Sequence, residues 1–134
     1  MLAAHSWDVS DLAEIDIEFS GVSFTYFGTQ EPALKDINFR VKQGELLMIT
    51  GPSGAGKTTL ACCINGLVPH FYNGDLKGVV IVKGLNTAAE TVGSLSRHVG
   101  LLFQDPQSQL VSPTVADEIA FGPENLAIPR EEIG

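Results

Sequence analysis

Residues 51 to 58 read Gly51-Pro52-Ser53-Gly54-Ala55-Gly56-Lys57-Thr58, a complete G-x-x-x-x-G-K-[ST] pattern. An apolar run, Leu46-Leu47-Met48-Ile49, precedes it and reads as a strand, and Thr59-Leu60-Ala61-Cys62-Cys63-Ile64 follows it as a helix. Three glycines let the backbone wrap closely around an anion, so that successive N–H groups point at oxygens while the positive end of the helix dipole faces the same spot. The segment is therefore expected to bind a polyphosphate through Gly51, Ser53, Gly54, Ala55, Gly56, Lys57, Thr58 and Thr59. By the mechanics of the motif, Lys57 reaches the β- and γ-phosphates and Thr58 places its hydroxyl on Mg²⁺. Thr59 follows as the α-phosphate contact.

A chain of 134 residues with 44% hydrophobic and 18% charged residues has enough material for one domain with a core. Its unbroken apolar runs are a few residues long, too short to span a bilayer, and the first 20 residues carry acids but no Lys or Arg, unlike a secretory signal. A cytoplasmic location is the expectation. Cys62 and Cys63 are neighbours on the predicted helix, where they cannot staple distant segments, and read as buried reduced thiols. The net charge of −8 comes from the two ends, with a basic-leaning middle. General nucleic-acid binding, which needs a basic face, is excluded; a small polyanion held in the middle fits.

Residues 1–14 read as a loosely held leader, with Trp7 a candidate to pin it and His5 without a role. From there to residue 134 the chain reads as one domain. Ile15, Ile17 and Phe19 alternate with polar residues, and Val22, Phe24 and Tyr26 continue after Gly21, which marks a strand with a bulge or kink at the glycine. A second strand covers Ala33 to Val41 and closes at Gln43-Gly44. The first helix should end near Asn65-Gly66. A loop is expected from Leu67 to Gly74, a strand over Gly78 to Gly84, and a short helical stretch ending near Arg97. Val99 to Phe103 reads as a short buried strand delivering Gln104. A helix capped by Thr114 follows, with Asp117 and Glu118 in its first turn, stopping around Phe121 to Pro123.

Taken together, Val22-Ser23-Phe24-Thr25-Tyr26, Ala33-Leu34-Lys35-Asp36-Ile37-Asn38, the glycine loop, and Val99-Gly100-Leu101-Leu102-Phe103-Gln104-Asp105-Pro106 resemble the ATP-binding subunit of ABC transporters. With Thr114 to Gly122, the last block looks most like the cobalt-type and energy-coupling-factor ATPases that drive vitamin or metal-ion import. The resemblance implies an α/β fold: a P-loop NTPase core with an N-terminal antiparallel β-part over about 15–45. It also implies that Tyr26 stacks on adenine; Phe27 is a rival stacker, and the alternative is that Tyr26 is simply the next inward residue of the alternation. Gln104 matches the Q-loop glutamine, which reaches Mg²⁺ or the attacking water. Asp105 reads as a turn residue ahead of Pro106, and His70 and His98 as local packing and surface groups.

The resemblance further implies ATP and Mg²⁺ as ligands, a transmembrane subunit and a second ATPase domain as partners, and a peripheral position on the inner face of the cell membrane. The departures are as informative. Nowhere in the 134 residues is there a Leu-Ser-Gly-Gly-Gln segment, an apolar run ending in Asp-Glu, or a later switch histidine. The expectation is the front part of an ATPase domain, truncated, which binds Mg-ATP but turns it over far more slowly than the intact subunit. Two alternatives stay open: a soluble ATPase of the same class, and a non-hydrolytic nucleotide-binding regulatory module.

Overall fold

The computed structural model describes residues 15–133. The expected leader, with Trp7 and His5, lies outside them. The chain falls into two compact units that divide after Gly100.

The first unit is built on a four-stranded antiparallel sheet of β1 (Ile15–Tyr26), β2 (Leu34–Lys42), β3 (Gly74–Val82) and β4 (Leu85–Asn86), ordered β2-β1-β3-β4. Strand β1 is its centre, with β2 on one side and β3 on the other. The change of step at Gly21 is a bulge: both ladders shift register between Phe19 or Ser20 and Val22 or Ser23. One extra residue moves the inward set from odd to even positions, so Phe19, Val22 and Phe24 are all buried. Asn38 Oδ1 accepts the bulge amide of Gly21 at 2.7 Å. Across the bulge sits Gly78 at φ +80°, where a Cβ would lie 2.4 Å from the Gly21 carbonyl oxygen; a larger residue at this site would force the two strands apart.

The chain leaves β2 through the expected turn at Gln43-Gly44 and runs through the glycine loop into α1 (Lys57–Ile64). Leu60, Cys62 and Cys63 of α1 pack with Phe19, Val22, Phe24, Leu34, Val80 and Val82 in one core. Fully burying side chains of this size contributes about 1.5–3 kcal/mol each, so the sheet and the helix hold one another. As expected, α1 ends at Asn65, and Gly66 follows in the left-handed region. In the expected loop, Leu67–His70 (α2) is a kinked turn rather than a regular helix, since Val68 has extended backbone (φ −102°, ψ 125°), and Val68 is buried in the core. His70 packs locally, Nε2 lying 3.0 Å from the Thr87 carbonyl. Strand β3 begins at Gly74, four residues earlier than expected, because its first half pairs with the end of β1. A turn at Lys83-Gly84 leads to β4 (Leu85–Asn86), and α3 (Val92–Leu95) closes the unit with Leu95 buried.

The second unit holds a 3-10 turn (Gln107–Gln109), α4 (Val115–Asn125) and α5 (Arg130–Ile133). Thr114 caps α4 as expected: its hydroxyl oxygen accepts the Asp117 amide at 3.2 Å. The helix runs past the expected stop and carries Pro123 inside it.

Three further expectations are corrected. Leu46 to Ile49 is not a strand; the segment is unpaired, and Leu46 and Met48 are 92% and 80% exposed. Val99 to Phe103 is not a strand either, and Leu102 and Phe103 are exposed. A run that reads as a buried strand needs neighbouring strands to satisfy its backbone, and neither run is paired with a strand among the described residues. The antiparallel part is also larger than 15–45, since β3 and β4 join it from beyond α1. Among the described residues, no helix is long and apolar enough to cross a membrane.

Candidate functional site

The glycine loop opens between two fixed structures. At its far end Gly56, at φ +84°, is the residue before α1, and a Cβ there would lie 2.4 Å from the Ala33 carbonyl oxygen and 3.1 Å from Leu34 Cδ2. The start of the helix is thus pressed against the start of β2. Ala33 is held in turn by its amide, which donates to the Phe24 carbonyl at 2.8 Å. Within the loop, Gly54 also takes positive φ, and the Ala55 amide donates to the Pro52 carbonyl at 3.3 Å.

Lys57 does not extend into solvent. Its Nζ donates to the carbonyls of Gly51 at 2.9 Å and Pro52 at 2.7 Å, so the ammonium lies across the loop. Residues Gly51 to Ala55 are exposed, as is Thr58, whereas Thr59 is only 6% exposed. The first amides of an α-helix have no acceptor within it, and the first turn of α1 contains no acidic residue. One ammonium, unsatisfied helix amides and exposed backbone thus converge where an anion can approach, and no carboxylate of that turn opposes it.

Tyr26 ends β1 paired with Gly74 and has its ring edge-on to Phe24, centroids 4.8 Å apart. Its hydroxyl is 2.8 Å from Thr59 Oγ1, so the tyrosine and the loop helix are directly joined. Phe27, the rival aromatic, is 74% exposed. The structure therefore brings Tyr26 and the residues from Gly51 to Thr59 into one unit.

Gln104 belongs to the other unit, exposed at a bend. The sequence reading missed what shapes its segment. Gln109 Oε1 accepts the Phe103 amide at 3.1 Å, and Gln109 Nε2 donates to the Leu101 carbonyl at 3.4 Å. A side chain thereby replaces the strand partner that Val99 to Phe103 was expected to have. Glu118 was also missed as a loop holder: its Oε2 accepts the amides of Ser112 at 2.8 Å and Val111 at 3.0 Å. Those amide bonds, the Ser112 amide first, hold its carboxyl below the usual glutamate range.

Among the described residues, no group of three or more His, Cys, Asp or Glu side chains could hold a metal. A cation here would need oxygen ligands from a bound anion beside a hydroxyl such as that of Thr58, which suits Mg²⁺ with phosphates. A concavity of about 290 Å³ lies elsewhere, lined by Glu18, Phe19, Ser20, Asn38, Phe39 and Arg40, and no residue of the glycine loop contributes to it. Glu18 and Arg40 are ion-paired at 2.8 Å there, which holds the Glu18 carboxyl below its ordinary value.

The sequence pattern described as ABC transporter matches residues 34–128, well over half of the chain. The chain belongs to the ABC transporter family. A putative ABC transporter ATP-binding protein of Pyrococcus abyssi is 50% identical over 117 residues, covering 87% of this ABC transporter chain and 42% of the relative. Of solved structures, CbiO1 from Clostridium perfringens, described as part of the ABC transporter complex cbiONQ, matches with a TM-score of 0.72 at 29% identity. That match covers 90% of this chain and 46% of CbiO1. The ATP-binding cassette MJ0796, in a dimeric post-hydrolysis state bound to ADP and Pi, matches with a TM-score of 0.65 at 26% identity, over 87% of this chain and 52% of its own. The fold is accordingly the α/β P-loop fold of ABC ATPases. This ABC transporter chain spans about two-fifths (42% and 41%) of the length of two Pyrococcus relatives and about a fifth (18–22%) of other curated relatives it matches.

Proposed function

We propose that this chain binds Mg-ATP as the N-terminal part of an ABC transporter ATPase subunit, and that the whole protein powers import of a small solute, a vitamin or metal ion. The observation that carries the nucleotide reading is the placement of Lys57. Its ammonium lies 2.7–2.9 Å from the Gly51 and Pro52 carbonyls, at the N-terminal end of α1 and over a loop whose backbone is exposed. Residues 15–134 are the front of the nucleotide-binding domain, after a leader over residues 1–14.

In this reading the amides of Gly51, Ser53, Gly54, Ala55 and Gly56 hold the phosphate chain, and Lys57 neutralises the β- and γ-phosphates. Thr59 contacts the α-phosphate, and Tyr26 offers a ring face to adenine. Thr58 would hold Mg²⁺, which when bound would supply charge neutralisation at the phosphates. For Gln104, in the second unit, the sequence resemblance alone supports a role toward Mg²⁺ and the attacking water. The likeness to CbiO1, described as part of a transporter complex, supports a transmembrane partner and a peripheral position on the inner face of the membrane. The dimeric state of the MJ0796 structure supports a second ATPase domain as the other partner.

Titration calorimetry with Mg-ATP on the chain and on Lys57→Ala tests the site. Loss of a charged hydrogen-bonding group should weaken binding roughly 10- to 100-fold; equal affinity in the two proteins refutes the assignment. Turnover of this chain should be far below that of a protein carrying the full length of its relatives. Equal rates would defeat the view that turnover needs, beside Lys57 and Gln104, the signature segment and Asp-Glu run that these 134 residues lack.

A further inference from the structure

Tyr26 and Thr59 are 33 residues apart in sequence, and their hydroxyl oxygens are 2.8 Å apart in a partly buried place. Neither side chain has much freedom to leave. Tyr26 stands edge-on to the fully buried Phe24, with Gly74 opposite it in β3. A Cβ on Gly74 would lie 2.3 Å from the Thr25 carbonyl oxygen and 2.5 Å from Phe24 Cζ, which shows how tightly the end of β1 is held there. Thr59 sits in the first turn of α1, next to Lys57 and Thr58, and is 6% exposed.

Each hydroxyl has one hydrogen to give. If Thr59 donates to Tyr26, it has none left for a phosphate. If Tyr26 donates to Thr59, the Thr59 hydrogen is free for a phosphate oxygen, and the two bonds run in one direction and strengthen one another.

We infer that Tyr26 is a positioning residue for the phosphate end of the site: its hydroxyl donates to Thr59 Oγ1 and so aims the Thr59 hydroxyl at the bound anion. This rests on the nucleotide reading above and deepens it. A stacking ring helps only a ligand that has a base, whereas this hydroxyl helps any ligand that has the phosphates. Inorganic tripolyphosphate separates the two roles, because it carries no ring.

The experiment measures binding of tripolyphosphate and of ATP, each with Mg²⁺, to the chain and to Tyr26→Phe, Thr59→Val, the double variant and Lys57→Ala. Loss of one net neutral hydrogen bond corresponds to roughly five-fold weaker binding. Tyr26→Phe, which keeps the ring, should weaken tripolyphosphate and ATP by that same factor. The double variant should be no worse than Thr59→Val alone, since both changes cut one chain of bonds. A purely structural role would lower the melting temperature of Tyr26→Phe and leave tripolyphosphate affinity unchanged in protein that is still folded. That result overturns the inference, as does additivity in the double variant. In both cases binding that is lost in Lys57→Ala leaves the nucleotide reading standing. If the unmodified chain binds neither ligand, or binds them as well without Lys57, the nucleotide reading falls and this inference falls with it.

Discussion

Gly56 ties the fold to the site, and the tie can be measured. Replacing it with alanine imposes two separate costs. The residue has φ +84°, a conformation that costs an ordinary L-residue about 1–2 kcal/mol. The new methyl would also stand 2.4 Å from the Ala33 carbonyl oxygen and 3.1 Å from Leu34 Cδ2. Neither neighbour yields easily: the Ala33 amide is bonded to Phe24, and Leu34 is the buried first residue of β2. Pushing packed backbone aside costs a further ~1–3 kcal/mol, so Gly56→Ala should lose about 2–5 kcal/mol in all. Gly54→Ala is the internal control. Its φ is +81°, but a Cβ there meets nothing within 4 Å, so only the conformational cost applies. For a unit of this size, ~1 kcal/mol moves the melting temperature by about 4–8 °C. Thermal unfolding followed by circular dichroism should thus place Gly56→Ala roughly 5–20 °C below Gly54→Ala. Equal melting temperatures for the two variants would refute the close approach of the loop to β2.

Two titrations follow from buried or hydrogen-bonded groups. Burial, with the neighbouring Cys62 adding to it, pushes the Cys63 thiol from 9.0 up to about 12. The unfolded thiol ionises first, so the neutral buried thiol's contribution is complete below about 9 and is lost as pH rises toward about 12. Urea midpoints at pH 7 and pH 10 should show the loss, and Cys63→Ala should reduce it; an unchanged slope would count against the buried neutral thiol. Glu118 has the opposite sign. Its folded carboxyl lies below the ordinary 4.5, so what it contributes is present above that value and disappears as pH falls through the depressed one. Helicity at 222 nm should fall with acidification in the native chain, and Glu118→Gln should remove that part of the dependence; an identical acid profile in the variant would exclude it.

The contrast between three apolar runs shows what the sequence could disclose and why the rest stayed hidden. Gly78 to Val82 and Leu46 to Ile49 both read as strands, yet Val80 and Val82 are buried in a ladder while Leu46 and Met48 face solvent. The difference is not in the runs themselves. Val79 to Val82 finds β1 within reach of an antiparallel return, and β1 offers an apolar face already in phase, from Ile17 to Ser20. Leu46 to Ile49 has no such neighbour among the described residues. A strand is a property of a pair, and local pattern reports only one member of it. Val99 to Phe103 makes the same point from the other side, since Gln109 supplies two of its backbone bonds from a polar turn that carried no signal for that task. The glycine loop was legible because its conformation and its chemistry come from consecutive residues, Gly51 to Thr59. The Tyr26 to Thr59 bond was not, because the alternation through the bulge at Gly21 tells that Tyr26 turns inward and not which residue 33 positions away it meets. That one extra residue moves the inward set of β1 into even positions, Tyr26 among them, at the end of the strand beside the first turn of α1. Deleting the bulge would invert every side chain after it, leaving the motif intact in sequence and Thr59 without its tyrosine.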